Sequence, residues 1–202
     1  IFTPDDINIL KGGPENRRNF LDVMISQLRP QYVYNLSNYK KTLEQRNKYL
    51  KQEQKNEDML EIWDQKLADF GCNIYTYRRE FVDKIISKVK DIHKNITNED
   101  LRIEYVSDCE NRDEYLAHLK RNRHIDLARE YTSCGIHRDD FKTYINSKEI
   151  DTFGSQGQNR TAVLSLKLSE IEVINDEIGE YPILLLDDFM SELDQTRIKK
   201  FL

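Results

Sequence analysis

The chain has 202 residues, of which 38% are hydrophobic and 33% are charged, and its formal net charge is −5. This length suits one ordinary domain or two small ones. The acidic balance does not indicate a nucleic-acid-binding protein, so a contact with DNA would need local basic patches. The sequence contains no apolar run of about 18 residues, which argues against a membrane span. Its three cysteines are widely spaced, which argues against a disulfide framework or a zinc site and favours a cytoplasmic protein.

The first 30 residues predict a loop followed by one helix. Segment 1–13 is typical of a strand end and a loop. Pro14 then stands where helices often begin, with Glu15 in the first turn. Apolar residues recur at helical spacing at Phe20, Leu21, Met24 and Leu28. Pro30 ends this element.

A long helical hairpin is predicted over about residues 31–93. Its first apolar stripe consists of Leu36, Tyr39, Leu43 and Leu50. The polar segment KQEQKNED, residues 51–58, forms the tip. The second stripe consists of Leu60, Trp63, Leu67, Phe70, Ile74, Phe81, Ile85, Val89 and Ile92. Two amphipathic helices joined by a polar tip predict an antiparallel arm that stands off a body, although two helices of an ordinary bundle would give the same pattern.

The rest of the chain alternates strand and helix patterns, which predicts an α/β fold, α+β by content. Its predicted elements are a strand at 101–105, a helix at about 110–130, a β-hairpin at 141–153 with Asn146 and Ser147 at its turn, a helix at about 158–177 and a strand at 182–188. The last strand reads PILLLDD and is continuously apolar before its acidic end. This pattern predicts burial on both faces, as in a parallel sheet.

Two acidic residues, Asp187 and Asp188, end this last strand. Carboxylates at a strand end can hold Mg²⁺ and position an attacking water. A solvated strand end would have the same sequence. The chain contains no GxxxxGK[ST] phosphate loop whose nucleotide these carboxylates would serve.

A second candidate site is the segment GSQGQNR, residues 154–160. Backbone N–H groups at a helix N-terminus, beside a Ser hydroxyl, form a natural phosphate site. The alternative is a plain helix cap, in which Ser155 starts the turn and Gly157 relieves strain.

Together, these two segments resemble the signature and Walker B motifs of ABC-type ATPases, and SELD at residues 191–194 resembles the D-loop that follows them. Gln156 stands where transporter-type signatures have Gly, and Asp188 stands where many ABC ATPases have Glu. A closer resemblance, to the RecF family, covers essentially the whole chain. It rests on the segments FTPDDINILKGGPENRRNFLD, YKKTLEQRN, CGIHRDDF, SQGQNR and LLLDDFMSELD.

The RecF resemblance implies part of an ABC-type ATPase head with an inserted, mostly helical antiparallel-hairpin arm. Residues 1–13 would end one head lobe, residues 14–130 would form the arm, and residues 131–202 would carry the signature, Walker B motif and D-loop. It also implies an ATP-dependent DNA-binding protein of recombinational gap repair and replication restart. Such a protein dimerises on ATP, binds duplex DNA and single-strand/duplex junctions, and helps to load recombinase with RecR and RecO. We expect slow, DNA-stimulated ATP hydrolysis from the full-length protein and none from this chain, whose sequence lacks the phosphate-loop lobe.

The resemblance also assigns roles to single residues. The residues that would contact the nucleotide, anchor the loop or communicate across the dimer are Ser155, Gln156, Gly157, Gln158, Arg160 and Asp194. Asp187 would hold Mg²⁺, and Asp188 would position the attacking water as the catalytic base. The polar cluster His137–Asp139 belongs to the family pattern, and either a salt-bridge role or a catalytic role fits it.

Nine basic residues are candidates for contacts with DNA phosphates. They are Arg17, Arg18, Lys40, Lys41, Arg78, Arg79, Lys120, Arg121 and Arg123. Each could equally belong to a solvated helix face. Two rival interpretations of the whole chain are a nucleotide-binding domain of another ABC-type ATPase, such as a transporter, and a purely structural helical interaction module.

Overall fold

The computed structural model of the protein describes residues 2–54 and 56–185. A 3₁₀ turn at Pro4–Ile7 precedes the first helix. The helices and strands then follow in the order α1 (Asn8–Lys11), α2 (Pro14–Leu28), α3 (Pro30–Leu50), α4 (Glu57–Ile96), β1 (Leu101–Val106), α5 (Arg112–Arg129), β2 (Asp140–Ile145), β3 (Lys148–Glu149), α6 (Ile150–Phe153) and α7 (Gln156–Ile178). The strands form one sheet in the order β1-β2-β3, in which β2 and β3 are antiparallel. Among the helices of these residues, none has the length and apolar character that a membrane crossing requires.

The chain forms two compact units, each built from separate stretches of sequence. The sheet unit comprises Ile1–Met24, Glu80–Tyr105 and Asp140–Leu202, and the hairpin unit comprises Ile25–Arg79 and Val106–Asp139. These limits differ from the predicted boundaries after residues 13 and 130. Helices α2 and α4 each supply residues to both units. The helical pattern therefore continues across both limits, and nothing in the sequence marks them.

The two long helices of the predicted hairpin are confirmed as α3 and α4, the second of which has 40 residues. The buried face of α3 differs from the predicted stripe, because Leu36 and Leu43 are only half-buried. Its buried residues are Tyr32, Asn35, Tyr39, Thr42, Arg46 and Leu50. An apolar pattern could not show this face, since three of its members are polar and Arg46 is buried through carboxylates of other elements.

Tyr115 of α5 lies at the centre of the hairpin unit, with its side chain fully buried. Its hydroxyl is 2.6 Å from the hydroxyl of Tyr39. A side chain at Gly71 or at Gly135 would overlap with Tyr115. Gly135 also has a φ of +126°, a conformation that favours glycine. Both glycines are therefore required by the packing of one aromatic ring, which gives Gly71 a structural role inside α4.

The predicted β-hairpin at 141–153 is confirmed at its turn but not along its second arm. Asn146 and Ser147 have positive φ values of 48° and 66°, as a two-residue type I′ turn requires. Strand β3 has only two residues, and Ile150–Phe153 then forms the helix α6. The strand ends early because two polar residues follow Ile150 and break the alternation that a half-buried strand needs.

The predicted strand at 182–188 lies only partly within the described residues. Its described part, residues 182–185, forms no regular strand, and Ile183 is 89% exposed. The prediction of burial on both faces is therefore wrong for these four residues. The Leu185 carbonyl accepts one hydrogen bond of 2.7 Å from the Phe2 N–H. One such contact leaves the faces of the segment uncovered, because burial of a strand needs elements packed on both sides.

Candidate functional site

The loop before α7 is held by a capping box. Ser155 is the N-cap of α7, and its Oγ accepts a hydrogen bond of 3.2 Å from the Gln158 N–H. In return, Oε1 of Gln158 accepts a hydrogen bond of 2.9 Å from the Ser155 N–H. The local sequence S-x-x-Q favours this structure, because each side chain satisfies a backbone donor at the helix start. The predicted helix N-terminus in this segment is confirmed.

Three hydrogen-bond donors of this loop lie outside the capping box. The N–H groups of Gln156 and Gly157 belong to the first turn of α7, where a helix offers no backbone acceptor. The Ser155 hydroxyl accepts from Gln158 through a lone pair, so its own proton can be donated elsewhere. Ser155 and Gln156 are exposed. Together with the positive end of a 23-residue helix, these donors form a site that suits an anion such as a phosphate.

Asn159, whose side chain is buried, supports the loop through two hydrogen bonds. Its Nδ2 donates hydrogen bonds of 3.1 Å to the Gly154 carbonyl and 3.0 Å to the Ser155 carbonyl. A side chain at Gly154 would overlap with the Ile150 carbonyl, so the close approach of the chain to α6 requires glycine there. No local pattern distinguishes Asn159, because its neighbours in the segment are equally polar.

Glu99 supports this loop from another element, in a contact that the sequence pattern did not predict. Its Oε1 accepts a hydrogen bond of 2.6 Å from Nε2 of Gln158, although the two residues are 59 positions apart. The segment NITNED, residues 95–100, is typical only of the end of a helix. A contact between segments so far apart in sequence leaves no local pattern.

Gln158 also lines an open cleft of about 260 Å³. The other residues of the cleft are Ile145, Asn146, Lys148, Ile150, Phe153 and Gly154. Phe153 is 70% exposed, and Lys148 is exposed as well. The cleft therefore brings a lysine and an exposed aromatic ring next to the loop that carries the free donors.

The structure brings part of the predicted nucleotide site together. Ser155, Gln156, Gly157 and Gln158 form the start of α7 as described, and Arg160 lies half-buried one turn further along the helix. The predicted metal, base and D-loop carboxylates Asp187, Asp188 and Asp194 lie outside the described residues.

Two of the nine predicted DNA contacts are buried inside the protein. Arg17 is 6% exposed, and its guanidinium donates two hydrogen bonds, of 2.6 and 2.9 Å, to the Asp140 carboxylate, which raise its pKa. Arg78 is 2% exposed and donates to the Tyr32 hydroxyl and the Ile136 carbonyl. The prediction that these two arginines contact DNA is not supported, because a buried guanidinium is not accessible to a phosphate.

Two other predicted DNA contacts, Lys120 and Arg123, both bind the carboxylate of Glu61. The Lys120–Glu61 distance is 2.7 Å, and Arg123 lies 2.6 Å from Glu61 and 2.7 Å from Asp64. The hydrogen bonds from Lys120 and then Arg123 lower the pKa of Glu61 to about 2. The remaining candidates are the exposed Lys40, Lys41, Arg79 and Arg121 and the half-buried Arg18.

The cluster His137–Asp139 lies in the hairpin unit. Nδ1 of His137 is 2.8 Å from the Tyr39 hydroxyl, and Nε2 is 3.1 Å from the Thr132 carbonyl. Because a carbonyl only accepts, Nε2 carries a proton and donates it to Thr132, while Nδ1 shares a hydrogen bond with the Tyr39 hydroxyl. Asp139 is 2% exposed. These contacts favour the structural role over the catalytic one.

The comparison with curated proteins gives three closely similar relatives, each a DNA replication and repair protein RecF. The relative from Alkaliphilus oremlandii is 46% identical over 208 residues, that from Clostridioides difficile 45% over 210, and that from Clostridium botulinum 45% over 206. Each alignment covers 98% of this chain, whereas the chain spans only 57% of the length of each relative. No family model matches the chain.

Two solved structures share this fold. The first is the recombination mediator protein RecF-ATP in the RecFOR pathway, with a TM-score of 0.92 and 42% identity, covering 98% of this chain and 56% of that one. The second is RecF-ATPrS in the same pathway, with a TM-score of 0.91 and 42% identity, covering 97% and 56%. The sequence comparison and the structure comparison therefore indicate the same family over almost all of the chain.

Proposed function

This chain belongs to the RecF family, and on that premise we propose that the full-length protein is an ATP-dependent DNA-binding protein of recombinational gap repair and replication restart. It dimerises on ATP, binds duplex DNA and single-strand/duplex junctions, and helps to load recombinase with RecR and RecO. The similar solved structures are described as a recombination mediator in the RecFOR pathway, which supports this proposal.

The observation that carries the proposal is the loop at the start of α7. Its capping box leaves the Ser155 hydroxyl and the N–H groups of Gln156 and Gly157 free to donate. These donors fit a phosphate that another subunit presents, since the loop is exposed and lies at the positive end of a long helix. Both similar structures are described with ATP or an ATP analogue.

The roles of the carboxylates follow from the family resemblance. Asp187 would hold Mg²⁺, which would neutralise charge on the phosphates, and Asp188 would position the attacking water as base. Asp194 communicates across the dimer. An aspartate base is one methylene shorter than the glutamate of many ABC ATPases, so we expect slow ATP hydrolysis. The family resemblance implies that DNA stimulates it.

DNA contacts are proposed for the exposed basic residues of the hairpin unit. Lys40 and Lys41 lie next to each other on α3, and Arg121 lies on α5. Exposed cations of this kind bind phosphates without reading the base sequence, and the binding weakens as salt rises. The salt dependence of DNA affinity therefore tests this assignment.

The experiment that tests the proposed function is a sedimentation measurement of self-association by the full-length protein, with and without ATP. We expect ATP to promote dimerisation. Ser155→Ala should weaken this ATP-dependent association by at least tenfold, because it removes one hydrogen bond to a charged phosphate.

Ser155→Thr is the matched control, since it keeps both the hydroxyl and the cap, and it should associate like the wild type. The loss of the cap in Ser155→Ala costs about 1 kcal/mol of folding stability, which thermal unfolding measures separately. Self-association that is independent of ATP in the wild type would contradict the proposal and favour a helical interaction module.

A further inference from the structure

We propose that Glu99 is a positioning residue for Gln158, and that it connects the C-terminal end of α4 to the loop that receives the phosphate. This inference rests on the proposed function, because it concerns the same loop. The observation is the hydrogen bond of 2.6 Å between the Glu99 carboxylate and the Gln158 side-chain amide.

Glu99 fixes the orientation of the Gln158 amide. A carboxylate accepts hydrogen bonds and does not donate them, so Nε2 of Gln158 must face Glu99. The amide oxygen then faces the Ser155 N–H, which donates to it over 2.9 Å. If this orientation were lost, the capping box would lose one of its two bonds, and the Ser155 backbone would be held less firmly.

Glu99 is itself tied to the end of α4. Its N–H donates to the Thr97 hydroxyl over 3.2 Å. The Thr97 N–H in turn donates to the His93 carbonyl over 2.9 Å, which continues the last turn of the helix. The Glu99 backbone is therefore held at the helix end, and the Thr97 hydroxyl also lies 3.5 Å from Oε2 of the Glu99 carboxylate.

Other polar contacts join α4 to α7 within the sheet unit. Lys84 binds Glu177, and Lys88 lies 2.7 Å from Asp176. Nearer the loop, the buried Nδ1 of His93 lies 2.8 Å from Oγ of Ser165.

These contacts run towards lower residue numbers of α7 as α4 proceeds, so the two helices are antiparallel. The contact between Glu99 and Gln158 is the last of the series and the one that reaches the loop. A shift of α4 along its axis would therefore be transmitted to the phosphate-binding end of α7 through Glu99.

The test uses the full-length protein with the variants Glu99→Ala, Glu99→Gln, Gln158→Ala and the double variant Glu99→Ala/Gln158→Ala. Glu104→Ala is the matched control, because Glu104 is an exposed glutamate of the same unit. Two quantities are measured: hydrogen exchange of the residue 154–159 amides without nucleotide, and ATP-dependent self-association.

In Glu99→Ala, we expect the exchange rate of the Ser155 amide to rise by about tenfold. ATP-dependent association should weaken by about tenfold as well, because the variant loses one charge-assisted hydrogen bond. The ATP affinity of the isolated subunit should stay unchanged. Glu99→Gln should recover most of both effects, because its amide oxygen can accept the same bond. The double variant should be no weaker than Gln158→Ala, since Glu99 acts through Gln158.

Unchanged exchange in Glu99→Ala, or fully additive losses in the double variant, would overturn the proposal. A failure of the proposed function would give a different combination of results. In that case the wild type would show no ATP-dependent association, while Glu99→Ala would still raise the exchange of the Ser155 amide.

Discussion

Two sets of buried polar side chains, one in each unit of the molecule, are satisfied in opposite ways. In the hairpin unit, Arg46 is fully buried and binds Asp64 over 2.8 Å and Asp126 over 2.7 Å, both of which are also fully buried. In the sheet unit, the buried Ser165 and Ser169 of α7 donate to carbonyls of their own helix, over 2.9 and 2.7 Å. The cluster around Arg46 is satisfied between distant elements, whereas each of these two serines donates within its own helix.

This difference has an energetic consequence. A hydroxyl that donates to a carbonyl of its own helix makes the same bond wherever the helix packs. Its removal therefore changes the free energy of unfolding little. A buried ion pair depends on both partners, and removal of one partner leaves an uncompensated charge. The Arg46 cluster should therefore be far more sensitive to a single polar substitution than the serines of α7 are.

The largest expected effect is that of Arg46→Ala. It removes the cation that Asp64 and Asp126 share, and although Arg123 still pairs with Asp64, we expect the free energy of unfolding to fall by about 3–5 kcal/mol. Urea denaturation followed by circular dichroism measures this change. Ser169→Ala is the matched substitution in the sheet unit and should cost about 1 kcal/mol or less. Equal losses in the two variants would break the comparison between the units.

The contrast between buried arginines and exposed lysines gives the second prediction. The double variant Lys40→Glu/Lys41→Glu should weaken binding to duplex DNA by at least tenfold. It should also reduce the slope of log affinity against log salt by about 2, as for two lost phosphate contacts. The variant Lys90→Glu/Lys94→Glu changes the net charge equally at exposed positions of the sheet unit. If both variants lose affinity to the same extent, net charge and not α3 controls DNA binding.

The smallest expected effect concerns the edge of the ion network. The pKa of Glu61 is about 2 in the folded protein, below its ordinary value of 4.5. The carboxylate therefore adds stability above about pH 4.5, and this contribution is lost as the pH falls towards 2. The difference in urea midpoint between the wild type and Glu61→Gln should be constant near neutral pH and should shrink below pH 4.5. A difference that is constant down to pH 3 would contradict this assignment.

The sequence predicted the local elements well where their physical signal is itself local. The 3.6-residue spacing located α2, α3, α4, α5 and α7, because an amphipathic helix repeats its apolar side chains along the chain. The turn at Asn146 and Ser147 was likewise predicted, and a cap at Ser155 was one of the two alternatives for its segment, since a few neighbouring residues determine each.

The sequence could not identify which basic residues are exposed. Arg17, Arg78 and Lys41 are all basic residues within predicted helices. In the structure, Arg17 is bound by Asp140 and Arg78 is buried in the hairpin unit, whereas Lys41 is exposed. Nothing in the sequence marks the limits of the two units either, because α2 and α4 continue through them.

The sequence by itself determined the helices, the turn, the capped loop at Ser155 and, through its similarity to relatives, the family of the protein. Only the tertiary structure placed Arg46 between two carboxylates and brought Glu99 to Gln158 across 59 positions. Local elements depend on interactions within a few residues, which the order of side chains specifies directly. A buried charge or a long-range hydrogen bond forms only after separate elements pack, so its partners cannot be identified from either segment alone.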